Sequence, residues 1–146
     1  MNPVKLRRMS PQDVEQVVRI QQSITRQPVS ERWRGMVSGH VDNEEQVGFV
    51  AETDGKLLGF VLGEIKIGGF GSEVTGWIKM VGVTPEHMGS GVGRALATSL
   101  FDHFRAQGVE EICTSVRWDS GDMLAFFKNL GFDRSPFINL QWLKKN

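Results

Sequence analysis

Apolar residues recur along this chain with two different periods, and the order in which the periods alternate predicts the architecture. Val14, Val17, Val18, Ile20 and Ile24 form a helical stripe. The start signal before it is complete, with Ser10 as N-cap, Pro11 at the first helical position and Asp13 where a capping side chain sits. A shorter helix is predicted from Ser30 to Val37, after Pro28, with Trp33, Arg34 and Met36 on an outward-looking face. Val92, Ala95, Leu96, Leu100 and Phe104 form a third stripe ending near Gly108, and Asp122 to Leu130 a fourth helix closed by Gly131. Strand periods cover Val4 to Met9, Val47 to Glu52, Lys56 to Ile67, Thr75 to Val83, Ile112 to Val116 and Ile138 to Leu143, with room for a short strand near Phe132.

The second and third strands meet at Asp54-Gly55, a dipeptide suited to a tight hairpin, so their pairing is antiparallel. Lys56 to Ile67 is apolar on both faces, which calls for helices on both sides of the sheet. Strand, helix and strand between Thr75 and Val116 imply a parallel pair with a right-handed crossover. The predicted class is therefore α/β: a mixed, mostly antiparallel sheet with helices on both faces.

Composition narrows the function. The chain has 146 residues, the size of one domain, and we expect residues 1–146 to form a single one. Its 17 basic and 17 acidic residues cancel and are scattered, so nucleic acid is not an expected partner. No apolar run approaches the roughly 20 residues that span a bilayer, and the first ten residues, MNPVKLRRMS, lack the apolar core of a secretory signal. Cys113 is the only cysteine and excludes an internal disulfide. A cytoplasmic protein is the expectation, with no membrane association. The loosest stretch is Gly68 to Ser72, GGFGS.

The chemistry lies in Thr84 to Leu96, TPEHMGSGVGRAL, where Gly89, Gly91 and Gly93 fall on alternate residues as a strand gives way to a helix. Each glycine within a helix costs about 1 kcal/mol relative to alanine, so bare backbone must serve a purpose. At a helix N-terminus it lets unpaired N–H groups approach a phosphate, with the helix dipole adding positive potential. The dinucleotide fingerprint fails, because its third glycine would fall at Arg94 or Leu96. The Walker loop fails for want of a Gly-Lys-Ser/Thr end.

VGVTPEHMGSGVGRAL instead resembles the acetyl-CoA pyrophosphate loop of the GNAT superfamily of N-acetyltransferases, Gln/Arg-x-x-Gly-x-Gly/Ala between a strand and a long helix. LAFFKNLGF, Leu124 to Phe132, resembles the helix flanking the cofactor thiol in that family, and VKLRRMSPQDVEQV its first strand and helix. The resemblance implies a GNAT-like fold with a splayed parallel strand pair. It implies acetyl transfer from acetyl-CoA to a primary amine by direct attack, with no metal. Val81, Gly82 and Val83 would hold the pantetheine through backbone groups, an N–H near Val81 facing the oxyanion. Met88, Gly89, Ser90, Gly91, Val92, Gly93 and Arg94 would cradle the pyrophosphate. Ser120 and Phe127 would line the cofactor at the following helix. A small-molecule or peptide amine is the implied acceptor, and a homodimer is compatible with the family.

Four positions depart from the family pattern. Met88 stands where Gln or Arg is usual, Phe127 stands where a Tyr protonates the departing thiolate, and the chain contains no tyrosine. Ser115 occupies the position of the proton-accepting Glu of relatives that act on protein N-termini, and Ser120 that of a frequent Asn. A thiolate leaves readily at neutral pH, so loss of the acid, worth about 10²–10⁴-fold, implies slower turnover. The same departures suit a CoA-binding regulatory or scaffold module, and the loop alone would suit a module for another phosphorylated ligand.

For the base, Glu64 lies late in the third strand on the face of Phe60 and Leu62, where it either accepts an amine proton or has reached the solvated strand end. Asp119, Asp42 and Glu31 read as surface charges. Cys113 reads as a small buried hydrophobe. His40, His87 and His103 show no metal-ligand spacing, although His87 is near enough to the loop to touch a cofactor. Trp33, Met36 and Phe70 either line an acceptor cleft or pad the edge of the core.

Overall fold

A computed structural model describes residues 3–68 and 73–145. The elements are β1 (Lys5–Arg8), a 3-10 turn (Pro11–Asp13), α1 (Val14–Thr25), α2 (Glu31–Ser38), β2 (Gln46–Thr53), β3 (Lys56–Ile67) and β4 (Val74–Val83). A second 3-10 turn (Pro85–His87), α3 (Val92–Ala106), β5 (Ile112–Thr114) and α4 (Gly121–Asn129) follow. They group into two compact units, one ending at Ser115 and one beginning at Val116.

In the first unit a five-stranded sheet runs in the order β1-β2-β3-β4-β5. The first three pairings are antiparallel and β4–β5 is parallel. The hairpin turn sits where expected: Asp54 (φ 52°) and Gly55 (φ 78°) are both left-handed, as a two-residue turn requires. β3 is the spine. Its even residues Phe60 and Leu62 pack with Val14, Val17 and Ile20 of α1 and Val37 of α2. Its odd positions meet α3: a Cβ added at Gly63 would lie 2.7 Å from Leu100, and one at Gly76 of β4 2.6 Å from Phe104. Leu100 and Phe104 are fully buried, so these two glycines seat the helix on the sheet.

A partly buried ionic cluster ties β1 to the start of α1. Arg7 donates from Nη1 and Nη2 to Asp13 at 2.7 and 2.8 Å and from Nε to Glu52 at 2.9 Å. Asp13 is 3% exposed. Burial alone would raise its carboxyl, but the bonds from Arg7 and Ser10 outweigh it and hold it below the usual range.

The second unit contains α4, in which Phe127 is buried with ring edges against Phe126 at 5.0 Å and Phe132 at 5.3 Å. The strand expected over Ile138 to Leu143 is absent, as is one near Phe132: residues 132–145 have no ladder pairing among the described residues. Alternation shows that a segment suits a pleat, but a ladder partner must also exist. Cys113 is half-buried rather than core, because β5 is three residues long and forms the edge of the sheet. Phe70 lies outside the described residues.

Candidate active site

β4 pairs with β5 only at Gly76–Ile112, Trp77–Cys113 and Ile78–Thr114. The ladder stops there because the register against β3 slips at the next residue: Leu62 faces Met80 and Gly63 faces Ile78, leaving Lys79 as a bulged extra residue. Beyond the bulge β4 runs on to Val83, paired with β3 on one side only. Thr84 N–H donates to Leu58 O at 2.8 Å. Amides alternate sides along a strand, so Gly82 shares the β3 side with Thr84, while Val81 and Val83 turn their main-chain groups toward the side where β5 has ended. Gly82 has a further role, since a Cβ there would lie 2.7 Å from Phe60 on the α1 face.

The loop that follows is held by its own bonds. His87 N–H donates to Thr84 O at 2.9 Å, and His87 Nδ1 lies 2.9 Å from Thr84 Oγ1. His87 therefore braces the turn. Met88 N–H reaches Pro85 O at 3.4 Å and Ser90 N–H reaches His87 O at 3.3 Å, an oxygen that also accepts from Ser90 Oγ. Gly89 (φ 78°) and Gly91 (φ 91°) are left-handed, and a Cβ on either would meet nothing within 4 Å. Backbone conformation, rather than crowding within the protein, requires glycine there. Gly91 is the N-cap of α3. Among the described residues, the amides of Gly89, Gly91, Val92 and Gly93 have no main-chain or side-chain acceptor. The first intrahelical bond is Ala95 N–H to Gly91 O at 3.0 Å. A helix N-terminus with four such donors fits a diphosphate without any cationic side chain. Met88 and Arg94 are exposed, and the half-exposed Gly93 has an ordinary helical backbone.

On the α1/α2 face a second group gathers beside the bulge. Glu64 is half-buried, in register with Gln46 on β2 and Trp77 on β4, and accepts from Gln46 Nε2 at 3.4 Å. His40, at the end of α2, is 1% exposed. Its Nδ1 lies 2.8 Å from Met36 O, which makes Nδ1 the protonated nitrogen and leaves Nε2 to accept from Lys79 Nζ at 3.2 Å. Burial first, and then the Lys79 charge, push His40 below its ordinary value. Neither this role for His40 nor any role for Lys79 was legible in the sequence, because the bulge that turns Lys79 toward α2 leaves no compositional signal. Trp33 and Met36 pad the core: both pack against the main cluster, with Trp33 edge-on to Phe60 at 6.5 Å.

The remaining candidates disperse. Glu31 and Asp119 are engaged by Arg34 at 2.7 Å and Arg117 at 2.9 Å. Asp42 sits in a left-handed turn, and His103 Nε2 lies 3.2 Å from Glu44 O. Ser115 follows β5, and Ser120 is the N-cap of α4 without a side-chain capping bond. No group of three or more His, Cys, Asp or Glu among the described residues could hold a metal ion. No described helix is long and apolar enough to cross a membrane.

A strand that loses its neighbour at a bulge and then delivers unpaired amides to a helix N-terminus is the geometry expected of an acyl-CoA-binding fold. The chain belongs to the acetyltransferase (GNAT) family, whose sequence model it matches over residues 14–132. Among curated proteins it is 36% identical over 86 residues to the mycothiol acetyltransferase of Kocuria rhizophila, covering 58% of this chain and 28% of the relative. It is 36% identical over 89 residues to that of Amycolatopsis mediterranei, covering 59% and 30%. The chain thus spans less than a third of these relatives. Among solved structures the aminoglycoside N-acetyltransferase AAC(6')-Iy in complex with CoA superposes with a TM-score of 0.85 at 15% identity, covering 99% of this chain and 97% of that one. An acetyltransferase of Trypanosoma brucei gives 0.76 at 21% identity, covering 97% and 100%. These likenesses show the fold.

Proposed function

We propose that residues 1–146 act as one acetyltransferase domain that moves an acetyl group from acetyl-CoA to a primary amine by direct attack. The observation that carries this reading is the row of main-chain donors from Val81 and Val83 to Gly89, Gly91, Val92 and Gly93. Val81, Gly82 and Val83 would hold the pantetheine and present an N–H to the oxyanion, a donor whose loss typically costs about 3–4 kcal/mol. Residues 88–94 would take the pyrophosphate.

The amine loses a proton as its C–N bond forms, and Glu64 is the proposed acceptor of that proton. Its support is a half-buried carboxylate on the α1/α2 face, one register step from the bulge. An unassisted site favours an amine of low pKa. At pH 7 an amine titrating near about 8 is roughly a tenth neutral, whereas one near about 10.4 is neutral well below 0.1%. The sequence relatives are named for mycothiol and a fold neighbour for aminoglycosides, so a small-molecule amine is the proposed acceptor class. A cytoplasmic setting is part of the proposal, supported by the unpaired Cys113.

Thiol release from acetyl-CoA, screened across amino sugars, amino acids, polyamines and peptides, tests the reading. Amine-dependent release that disappears in Glu64→Gln supports it. CoA binding with no release across the whole panel favours a second reading, a CoA-dependent regulatory module, for which Phe127 in a chain without tyrosine is the supporting observation.

A further inference from the structure

Beside the bulge, β4 carries a positive charge that its neighbours do not neutralise. Lys79 is exposed although β4 is an inner strand, so the sheet is uncovered around this side chain. Other cations on the same side are engaged. Arg34 of α2 holds Glu15 and Glu31 at 2.8 and 2.7 Å, and Lys66 of β3 lies 4.7 Å from the centre of the Trp77 ring. Among the described residues Lys79 is paired with no carboxylate. Its partner is the imidazole of His40, 3.2 Å from Nζ.

The way Lys79 is held matters as much as its charge. His40 is buried and its Nδ1 is fixed by Met36 O at 2.8 Å, so the ring presents Nε2 to the ammonium as a rigid acceptor. A lysine stem is flexible, and anchoring its head in advance reduces the ordering that a ligand would otherwise impose. A neutral anchor does so without cancelling the charge. Glu64 belongs to the same group. Burial is the main reason the His40 ring sits below its ordinary pKa, while the Lys79 charge pushes it further down and the Glu64 charge pulls it up. Both charges thus act on one imidazole, yet they form no ion pair with each other.

The strand supplies the remaining coordinate. Lys79 precedes Val81 by two residues, roughly 6–7 Å along β4, and Val81 carries the N–H assigned to the oxyanion. An amine attacking there, with Glu64 taking its proton, would have Lys79 within reach of a substituent a few bonds away. We propose that Lys79, positioned by His40, binds a carboxylate on the acceptor, so that the acceptor is an amine that is also an acid, of the amino acid class. One point charge balances a carboxylate, whereas a phosphate, at about −1.5 to −2 near pH 7, would keep charge unpaired. The same ammonium disfavours polycationic amines, which would bring a like charge against it. The inference rests on the acetyl-transfer reading and narrows its acceptor.

The test compares acids with their own carboxamides: alanine, leucine, phenylalanine and γ-aminobutyrate, each beside the amide that lacks the negative charge. The amides also have more easily deprotonated amines, so the readout is the change in the acid-to-amide ratio between proteins. Lys79→Met should lower that ratio of kcat/KM about 10–100-fold, the range of a hydrogen bond to a charged group, and the change should fall on KM. His40→Leu should lose part of the selectivity, and His40→Gln, which keeps an acceptor, should recover it. An unchanged ratio in Lys79→Met overturns the proposal, as does a wild-type protein that neither binds nor acetylates any of the acids. Calorimetry of the same pairs against the CoA-bound protein gives the ratio without turnover. Acid-selective binding that depends on Lys79, with no thiol release from any amine, would support carboxylate recognition and count against acetyl transfer. Thiol release with no acid selectivity under the control of Lys79 would do the reverse.

Discussion

Two glycines in one loop should respond to substitution with opposite signs of stability and the same sign of binding. Gly93 is the second residue of α3 with ordinary helical backbone, whereas Gly91 is left-handed at φ 91°. Replacing Gly93 by Glu restores helix propensity worth about 0.5 kcal/mol and places an anion at the positive end of α3, worth about 0.3–1 kcal/mol. The free protein should gain about 1 kcal/mol, or roughly 2–4 °C in Tm at this chain length. Gly91→Ala should instead lose about 1–2 kcal/mol through backbone strain. In both variants the diphosphate loses amide contacts worth about 1.5–3 kcal/mol each, and in Gly93→Glu it also meets a like charge. Affinity for CoA should fall at least about 100-fold in Gly93→Glu. The assay is thermal unfolding with and without CoA at 100 times the wild-type Kd. Binding then stabilises the wild type by about 2.7 kcal/mol. A variant weakened 100-fold would show only about 0.4 kcal/mol. Gly93→Ala, which the family pattern tolerates, should gain stability and retain the ligand shift. A full CoA shift in Gly93→Glu would refute the assignment of these amides to the pyrophosphate.

Gly76→Ala should destabilise the fold by about 1–3 kcal/mol, because its Cβ would lie 2.6 Å from the buried ring of Phe104. Gly35→Ala, in mid-α2 with open space around it, should gain about 1 kcal/mol; denaturant titration compares the two. Phe127→Tyr should raise the rate of thiol release by tenfold or more if a missing acid limits turnover, and an unchanged rate would place the limit elsewhere. His40 is held below its ordinary value, near about 6.5, chiefly by burial. The unfolded chain then takes up the proton first, so the stability His40 confers is complete above that value and is lost as pH falls toward its folded pKa. Tm measured from pH 7.5 to 5 should therefore decline more steeply in the wild type than in His40→Gln.

What could be read from the sequence was what local chemistry settles. The stripe in α1, the Asp54-Gly55 turn and the glycines opening α3 each follow from the residues that form them, and each lies where expected. Features requiring a distant partner were not legible. Gly63 and Gly76 look like weak points in strands until Leu100 and Phe104 arrive from α3. Asp13 reads as a capping residue, and only the antiparallel pairing of β1 with β2 brings Arg7 and Glu52 together around it. Ile138 to Leu143 has the alternation of a strand but is not assigned to one among the described residues.

The bulge at Lys79 explains why one strand can serve both a core and a binding site. Before it, Ile78 turns toward α3 and is buried, while Trp77 shares a face with Glu64. After it, Met80 and Gly82 return to the α1/α2 face opposite Leu62 and Phe60. If Lys79 paired regularly with Leu62 instead of bulging, the parity would invert beyond position 79: Gly82 would leave the space beneath Phe60, and the Val81 side chain would have to enter it. The same insertion turns Lys79 to within 3.2 Å of His40 and coincides with the end of the β5 ladder. A single unpaired residue thus keeps the apolar face continuous while freeing the strand's outer edge. The main-chain donors at Val81 and Val83 therefore arise from the packing requirements of Phe60 and Gly82 as much as from any demand of a ligand.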